Sequence, residues 1–350
     1  MESLCIMSYD GRSEPDLYRF PAFVLKVSGD PSPVREAVST LFRFFPNSSD
    51  SCYRQIEMHV WDLLDDGSTV LPVFLSRYLT NPDAVAEPTM VQGENVSIGF
   101  IHAHDGVFTA CYYMPRDSRI EFVATRRSIG KTPLCITSVL MPLLREVLLD
   151  HQCALFHSAA LACPDGTGIL LFADSGGGKT TVSLCLMRLG AKLLGDDLVM
   201  IGEEEDSLIL YGFPEPINLT EQTMTFFTEL KHLKCTATAH RDKAVVSPKD
   251  IYGPCCFQEK VPLHVAYLLH KSHGDPRVEL LPPQESLGLL VRAHTFARYQ
   301  NISRDAIERM YQILESTSFY RLYTGNDPTA LGKWLLESVH DHKHGRFTGG

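Results

Sequence analysis

Apolar and polar positions along this chain change period several times, and each change marks an expected element. The run Phe-Val-Leu-Lys-Val at 23–27 reads as a strand, and 33–45, opened by Pro33, as a helix. Polar turns rich in Asp and Ser separate such pieces, so residues 1–95 are expected to form an N-terminal α+β region. Between 96 and 125, the runs SIGFIHAH, VFTACYYM and IEFVAT alternate with period two. They predict an antiparallel meander, with Asp105-Gly106 as a hairpin turn. At 133–151 the period lengthens: Leu140, Leu143, Leu144, Val147 and Leu148 share one face of a predicted amphipathic helix.

The second half begins with 155–163 as one strand, Pro164-Asp165-Gly166 as a turn, and 169–173 as a fully buried strand. A helix is expected at 179–189, with Gly190 suited to its C-terminal cap. The segment 192–201 reads as a strand interrupted by Asp196-Asp197, followed by a strand at 208–211 and a helix at 220–230. The stretch 240–246 ends in a short strand, and strands follow at 263–270 and 278–281. Helices are expected at 286–293 and 303–314, then a strand at 318–323. Asp327-Pro328 supplies the N-cap and first residue of a last helix. The polar tail at 341–350 is expected to be disordered, and no internal repeat is visible.

The chemistry concentrates in GILLFADSGGGKTTVSLCLMRLGAKLLGDDLVMI, residues 168–201. Ala173 through Thr180 follows the phosphate-loop pattern, with alanine where glycine is commoner. A loop that wraps a polyphosphate with its own N–H groups needs residues without Cβ, and the start of the following helix adds a positive dipole. Asp174, Ser175, Gly176, Gly177, Gly178, Lys179, Thr180 and Thr181 are therefore the expected nucleotide-binding residues. Lys179 reaches the β/γ-phosphates and the Thr180 hydroxyl serves Mg²⁺. A second GKT, at 130–132, lacks the leading glycines and runs into Pro133, so it reads as an ordinary strand-to-helix turn. Arg126, Arg127 and Lys131 beside it read as surface charge.

Two adjacent carboxylates, Asp196 and Asp197, are costly to bury unless a cation sits against them. Neighbouring residues of a strand face opposite ways, so both reach one site only if the strand is broken there. Gly-Asp-Asp is also an ordinary solvated turn; its position after the loop and helix favours function. A metal held by Thr180 and one aspartate would leave the other free to accept a proton. His157, in ALFHSAAL, is by itself a core or edge histidine.

Composition narrows the partners. The chain has 350 residues, 44% hydrophobic and 21% charged, enough for two or three domains. A net charge of −10 gives a nucleic-acid partner no support. No run is long and apolar enough for a membrane span, and no signal peptide is evident. The ten cysteines include no CxxC pair, which suits reduced thiols and a cytoplasmic location.

These residues resemble the catalytic core of HPr kinase/phosphorylase and its relatives, whose fold is related to phosphoenolpyruvate carboxykinase. The resemblance rests on His157 one hairpin before the loop, the DSGxGK[ST]-like run 174–180, Arg188-Leu189-Gly190 ending the helix, and Asp196-Asp197 beyond it. It is close over 155–203 and looser to about 340, where the ending is similar to HPr-kinase-related proteins of peptide-modification cassettes. It implies a mixed α/β fold with an HPr-kinase-like P-loop core spanning 96–340. It implies that Asp197 accepts the proton of a hydroxyl substrate, that His157 orients or tunes it, and that Lys179, Asp196 and Thr180 serve the phosphates and Mg²⁺. The family's metal-binding glutamate, within an EIRGLGIIN-like segment, has no direct counterpart in LYGFPEPIN; Glu215 is the candidate substitute. Arg241 and Lys243 are candidates for a substrate contact in place of a missing arginine.

The expectation is an ATP- and Mg²⁺-dependent transfer of phosphate to a Ser or Thr hydroxyl of a peptide or small protein. The alternative is a nucleotide-binding regulatory or scaffold protein that transfers nothing. The role of residues 1–95, substrate recognition among them, and the oligomeric state, a homo-oligomer among them, are left open.

Overall fold

A computed structural model of the chain describes residues 14–29, 31–43, 45–46, 53–63, 89–93, 96–104, 107–125, 133–230, 243–294 and 302–343. The Asp105-Gly106 turn, the second GKT with its basic neighbours, Arg241 and the tail from 344 lie outside the described residues. The fold is mixed α/β and divides into two compact units, Met1–His151 and Gln152–Gly350.

The first unit carries a seven-stranded sheet. Its strands are β1 (Asp16–Arg19), β2 (Phe23–Ser28), β3 (Arg54–Leu63), β4 (Thr89–Gly93), β5 (Val96–His104), β6 (Val107–Met114) and β7 (Arg119–Thr125). The order is β1-β2-β3-β7-β6-β5-β4. Strands β5, β6 and β7 form the expected antiparallel meander. Strand β7 also pairs in parallel with β3, from Glu57 opposite Arg119 to Leu63 opposite Thr125. That pairing ties 96–125 to the first unit, whereas the sequence reading groups it with the loop-bearing region; local alternation carries no record of a partner strand roughly sixty residues away. Helix α1 (Pro33–Phe42) starts at Ser32, whose hydroxyl accepts from Arg35 N, with Pro33 at its first position. It buries Val34, Val38 and Phe42. Helix α2 (Pro133–Asp150) buries Leu140, Leu143, Leu144, Val147 and Leu148, the face read from the sequence.

The second unit is built on nine strands: β8 (Ala154–His157), β9 (Ala159–Ala162), β10 (Gly168–Phe172), β11 (Lys192–Gly195), β12 (Leu198–Glu204), β13 (Ser207–Gly212), β16 (Lys260–His270), β17 (Arg277–Leu280) and β18 (Ser318–Tyr323). The order is β11-β9-β10-β16-β13-β12-β8, with β18 pairing β16 and β17. Strands β10, β16 and β18 run parallel at the centre, and antiparallel pairs flank them. A separate ladder joins β14 (Ile217–Thr220) to β15 (Lys243–Val246).

The helices of this unit are α3 (Lys179–Arg188), α4 (Glu221–Phe226), α5 (Pro248–Tyr252), α6 (Pro283–His294), α7 (Arg304–Ser316) and α8 (Pro328–Lys343). Helix α4 is shorter than the 220–230 expected, because a 3₁₀ turn, Thr228–Leu230, replaces its second half. The core joins Leu161, Ile169, Leu171, Val182, Leu186, Val265, Tyr267, Leu322 and Leu335. The apolar run 155–163, read as one strand, is two. Strand β8 pairs with β12, β9 pairs with β10 and β11, and Ser158 is the break between them. The next pair of strands, β11 and β12, breaks at the same level, at Asp196-Asp197.

Candidate active site

All five residues of β10 are buried, so the strand is a rigid post, and the loop leaves from its carboxyl end. Gly176 and Gly178 have φ of 75° and 101°, and Gly178 in this left-handed form is the N-cap of α3. At Gly177 a Cβ would meet Ala173 Cβ at 2.7 Å and the Asp174 carbonyl oxygen at 2.9 Å. The turn is closed by Gly177 N donating to Asp174 O at 2.8 Å. Asp174, Ser175 and Gly176 are exposed. The first N–H groups of α3 have no partner within the helix, as at any helix start, and they open onto this loop.

The side chains after the loop turn inward. Lys179 is buried, and its Nζ lies 3.4 Å from both the Ala173 carbonyl oxygen and His157 Nε2. An ammonium only donates, so Nε2 accepts and the His157 ring proton belongs on Nδ1. Thr180 Oγ1 donates to Asp196 Oδ2 at 2.6 Å. Thr181 Oγ1 is 3.2 Å from Thr223 Oγ1, which is itself 3.0 Å from the capping hydroxyl of Thr220.

The paired breaks bring the acids together. Ser158 N donates to the Asp197 carbonyl oxygen at 3.1 Å, and His157 is the register partner of Leu198. This fastens His157 next to the aspartates. One oxygen of Glu215, Oε1, accepts from both Asp197 N and Leu198 N at 2.9 Å each.

The electrostatics are unusual for a sheet interior. Asp196 is 2% exposed, and its carboxyl is pushed up to about 6, first by burial and then by the charge of Asp197. Asp196 Oδ1 has no hydrogen-bond partner among the described residues; nor do Ser158 Oγ and Ser183 Oγ, although Ser183 lies close enough to favour the aspartate charge. The Glu215 carboxyl is raised well above the carboxylate range by burial and by Asp197, even though part of the residue reaches the surface. His157 is lowered by the atoms crowding its ring and then by the Lys179 ammonium, with Asp197 opposing, although the residue as a whole is exposed.

An orphaned carboxylate oxygen at the end of a glycine cradle fits a divalent cation. Among the described residues no group of three or more His, Cys, Asp or Glu could hold a metal ion by itself. What the site offers here is a hydroxyl and a carboxylate, those of Thr180 and Asp196, the kind of partial shell that Mg²⁺ completes with waters and substrate phosphates.

No family model matches the chain. A stretch of 99 residues, 28% of the chain, is 34% identical to the HPr kinase/phosphorylase of Chlorobium phaeobacteroides. Over that stretch the chain is similar to an HPr kinase/phosphorylase. The match spans 28% of that relative's length. The solved HPr(Ser) kinase/phosphatase of Coxiella burnetii is a fainter likeness, 13% identical with a TM-score of 0.33, over 55% of this chain and 91% of that one.

Of the residues read from the sequence, the structure links Lys179 to His157, Thr180 to Asp196, and Glu215 to the backbone of Asp197. Lys243 lies in β15 opposite Thr220. Sequence reasoning missed Ser158, Ser183 and Thr223. Of these only Thr223 left a signal, standing three residues after the capping Thr220. Among the described residues no helix is long and apolar enough to cross a membrane, and Cys111, Cys153, Cys163, Cys185, Cys255 and Cys256 are free thiols.

Proposed function

We propose that this chain is an ATP-dependent phosphotransferase that moves the γ-phosphate to a Ser or Thr hydroxyl of a peptide or small protein in the cytoplasm. One observation carries the reading: Thr180 and the buried, half-satisfied Asp196 meet at 2.6 Å directly behind a loop whose Gly177 has no room for a Cβ and whose Gly176 and Gly178 take positive φ. Phosphoryl transfer asks the protein mainly for positioning and charge neutralisation. The loop amides and Lys179 would hold the phosphates, with Asp174 and Ser175 exposed at the loop's tip. Bound Mg²⁺, held by Thr180 and Asp196, would supply charge neutralisation at the β/γ-phosphates. Asp197 lies next in the chain, beside His157. It takes the proton of the acceptor hydroxyl as that oxygen forms its bond to phosphorus and the bond to the leaving diphosphate breaks. Neutral His157, held by Lys179, orients it.

The test is transfer of labelled phosphate from ATP to candidate peptides. Asp197→Asn is expected to lower transfer roughly 10³-fold, the scale of a lost general base, while ATP still protects the variant against unfolding. Full transfer by that variant would remove Asp197 from the role. Nucleotide protection without phosphate release, in the presence of an acceptor that the wild-type cell phosphorylates, would instead favour a regulatory nucleotide-binding protein.

A further inference from the structure

Glu215 is the candidate substitute for a metal-binding glutamate in the resembled kinases, but its contacts here are of another kind. A metal-binding carboxylate points at the cation. Glu215 spends Oε1 on two consecutive backbone N–H groups, those of Asp197 and Leu198. Those two amides sit where the ladder is interrupted: β11 ends at Gly195 and β12 begins at Leu198. Leu198 is the first residue of β12, registered against His157. A chain that leaves one set of partners at Gly195 and joins another at Leu198 has N–H groups to satisfy between them, and a buried N–H left alone is costly. Glu215 answers both from outside the sheet, on the segment between β13 and β14.

The arrangement has a geometric consequence. The Asp197 amide is fixed by Glu215 and the Asp197 carbonyl by Ser158 N, so the peptide units on both sides of its Cα are held. The side chain of Asp197 is thereby aimed by backbone bonds. Holding the acid this way sets a third carboxyl beside Asp196 and Asp197, whose charges oppose its own. A clamp needs only an acceptor oxygen, not a charge.

We propose that Glu215 is a positioning residue: it aims Asp197 by clamping the backbone at the break between β11 and β12. This rests on the phosphotransferase reading for its effect on rate, but not for the clamp itself.

The experiment compares Glu215→Gln, Glu215→Asp and Glu215→Ala with the wild type. Two readouts are taken: hydrogen exchange of the Asp197 and Leu198 amides in the ligand-free protein, and kcat, KM for ATP and Mg²⁺ dependence in transfer. Gln keeps the acceptor oxygen and the reach, so it is expected to preserve slow exchange, kcat within about threefold of wild type, and the same Mg²⁺ dependence. Ala is expected to speed exchange of both amides by roughly tenfold or more, the loss of a buried hydrogen bond each. It should lower kcat by about 10²-fold with little change in KM, the signature of a misplaced reacting group. Asp, one methylene shorter, should fall between, which keeps the test open if the Ala variant does not fold. Unchanged exchange in the Ala or Asp variant overturns the clamp. A Gln variant that keeps slow exchange but is as inactive as Ala, with a raised Mg²⁺ requirement, overturns the positioning role in favour of a metal ligand. If wild type and variants alike transfer nothing, the phosphotransferase reading fails, and the exchange data still decide the clamp.

Discussion

Each unit buries a carboxylate in its sheet, and the two are treated in opposite ways. Glu121 of β7 is 5% exposed, and burial raises its carboxyl, yet it is answered on all sides: Trp61 donates its indole N–H, and Arg119 lies at 2.5 Å. Its strand is continuous and in register with β3. Asp196 is as buried, but two more acids, Asp197 and Glu215, act against it with the Lys179 ammonium opposing, one oxygen has no partner, and the strand is broken beside it. A satisfied buried charge builds a fold. An unsatisfied one, at a place where two strands break together, costs stability unless a cation arrives. The contrast sets a satisfied buried acid against one whose second oxygen has no partner among the described residues.

The comparison can be broken most forcefully at Lys179. Lys179→Ala is expected to lower transfer about 10²–10³-fold, as removal of a fixed charge on the transferring group does, without affecting the first unit. Glu121→Ala should do the reverse. It is expected to cost about 2 kcal/mol in denaturant unfolding, because Arg119 and Trp61 lose a buried partner, while activity per folded molecule is kept. Loss of activity at constant stability in that variant would erase the distinction.

Asp196→Asn sharpens it by sign. Removing a charge that burial and Asp197 penalise more than Thr180, Ser183 and the Lys179 ammonium relieve should stabilise the ligand-free protein by about 1–2 kcal/mol near pH 8. Asp196 keeps its proton to about 6 in the folded chain, above the ordinary aspartate range, so folding takes up a proton in that window. Stability of the ligand-free wild type therefore falls as pH rises from the ordinary aspartate range to about 6 and is flat with respect to this group above it. Unfolding midpoints measured along that range should show the slope in the wild type and a reduced one in the variant. The smallest expected effect is at Thr223→Val, which cuts the hydroxyl chain from Thr181 to Thr220 and should cost about 1 kcal/mol. A thermal melt with and without ATP checks it.

What the sequence disclosed follows from which interactions are local. The strand, loop and helix at 168–188 are one contiguous unit, so composition and order reveal them, and the interruption at Asp196-Asp197 was legible because charge breaks an apolar run. The break at Ser158 was not: ALFHSAALA keeps its apolar character straight through it, and only the exchange of partners, β12 for β8 and β10 with β11 for β9, divides the segment. The parallel pairing of β7 with β3 escaped notice for the same reason. Glu215 was legible as an acid near the site, but not its bonds to Asp197 N and Leu198 N, since a side chain bonding to backbone leaves no spacing rule.

The most direct test of the central claim is the unfolding temperature at pH 8, with ATP alone and with ATP plus Mg²⁺, for wild type and Asp196→Asn. The account predicts a Mg²⁺-dependent rise in the wild type, on the order of 2–3 kcal/mol at a hundredfold excess over the dissociation constant. It predicts a variant that melts higher without ligand and gains nothing further from Mg²⁺. A variant that responds to Mg²⁺ as the wild type does, or a wild type indifferent to it, would contradict the account.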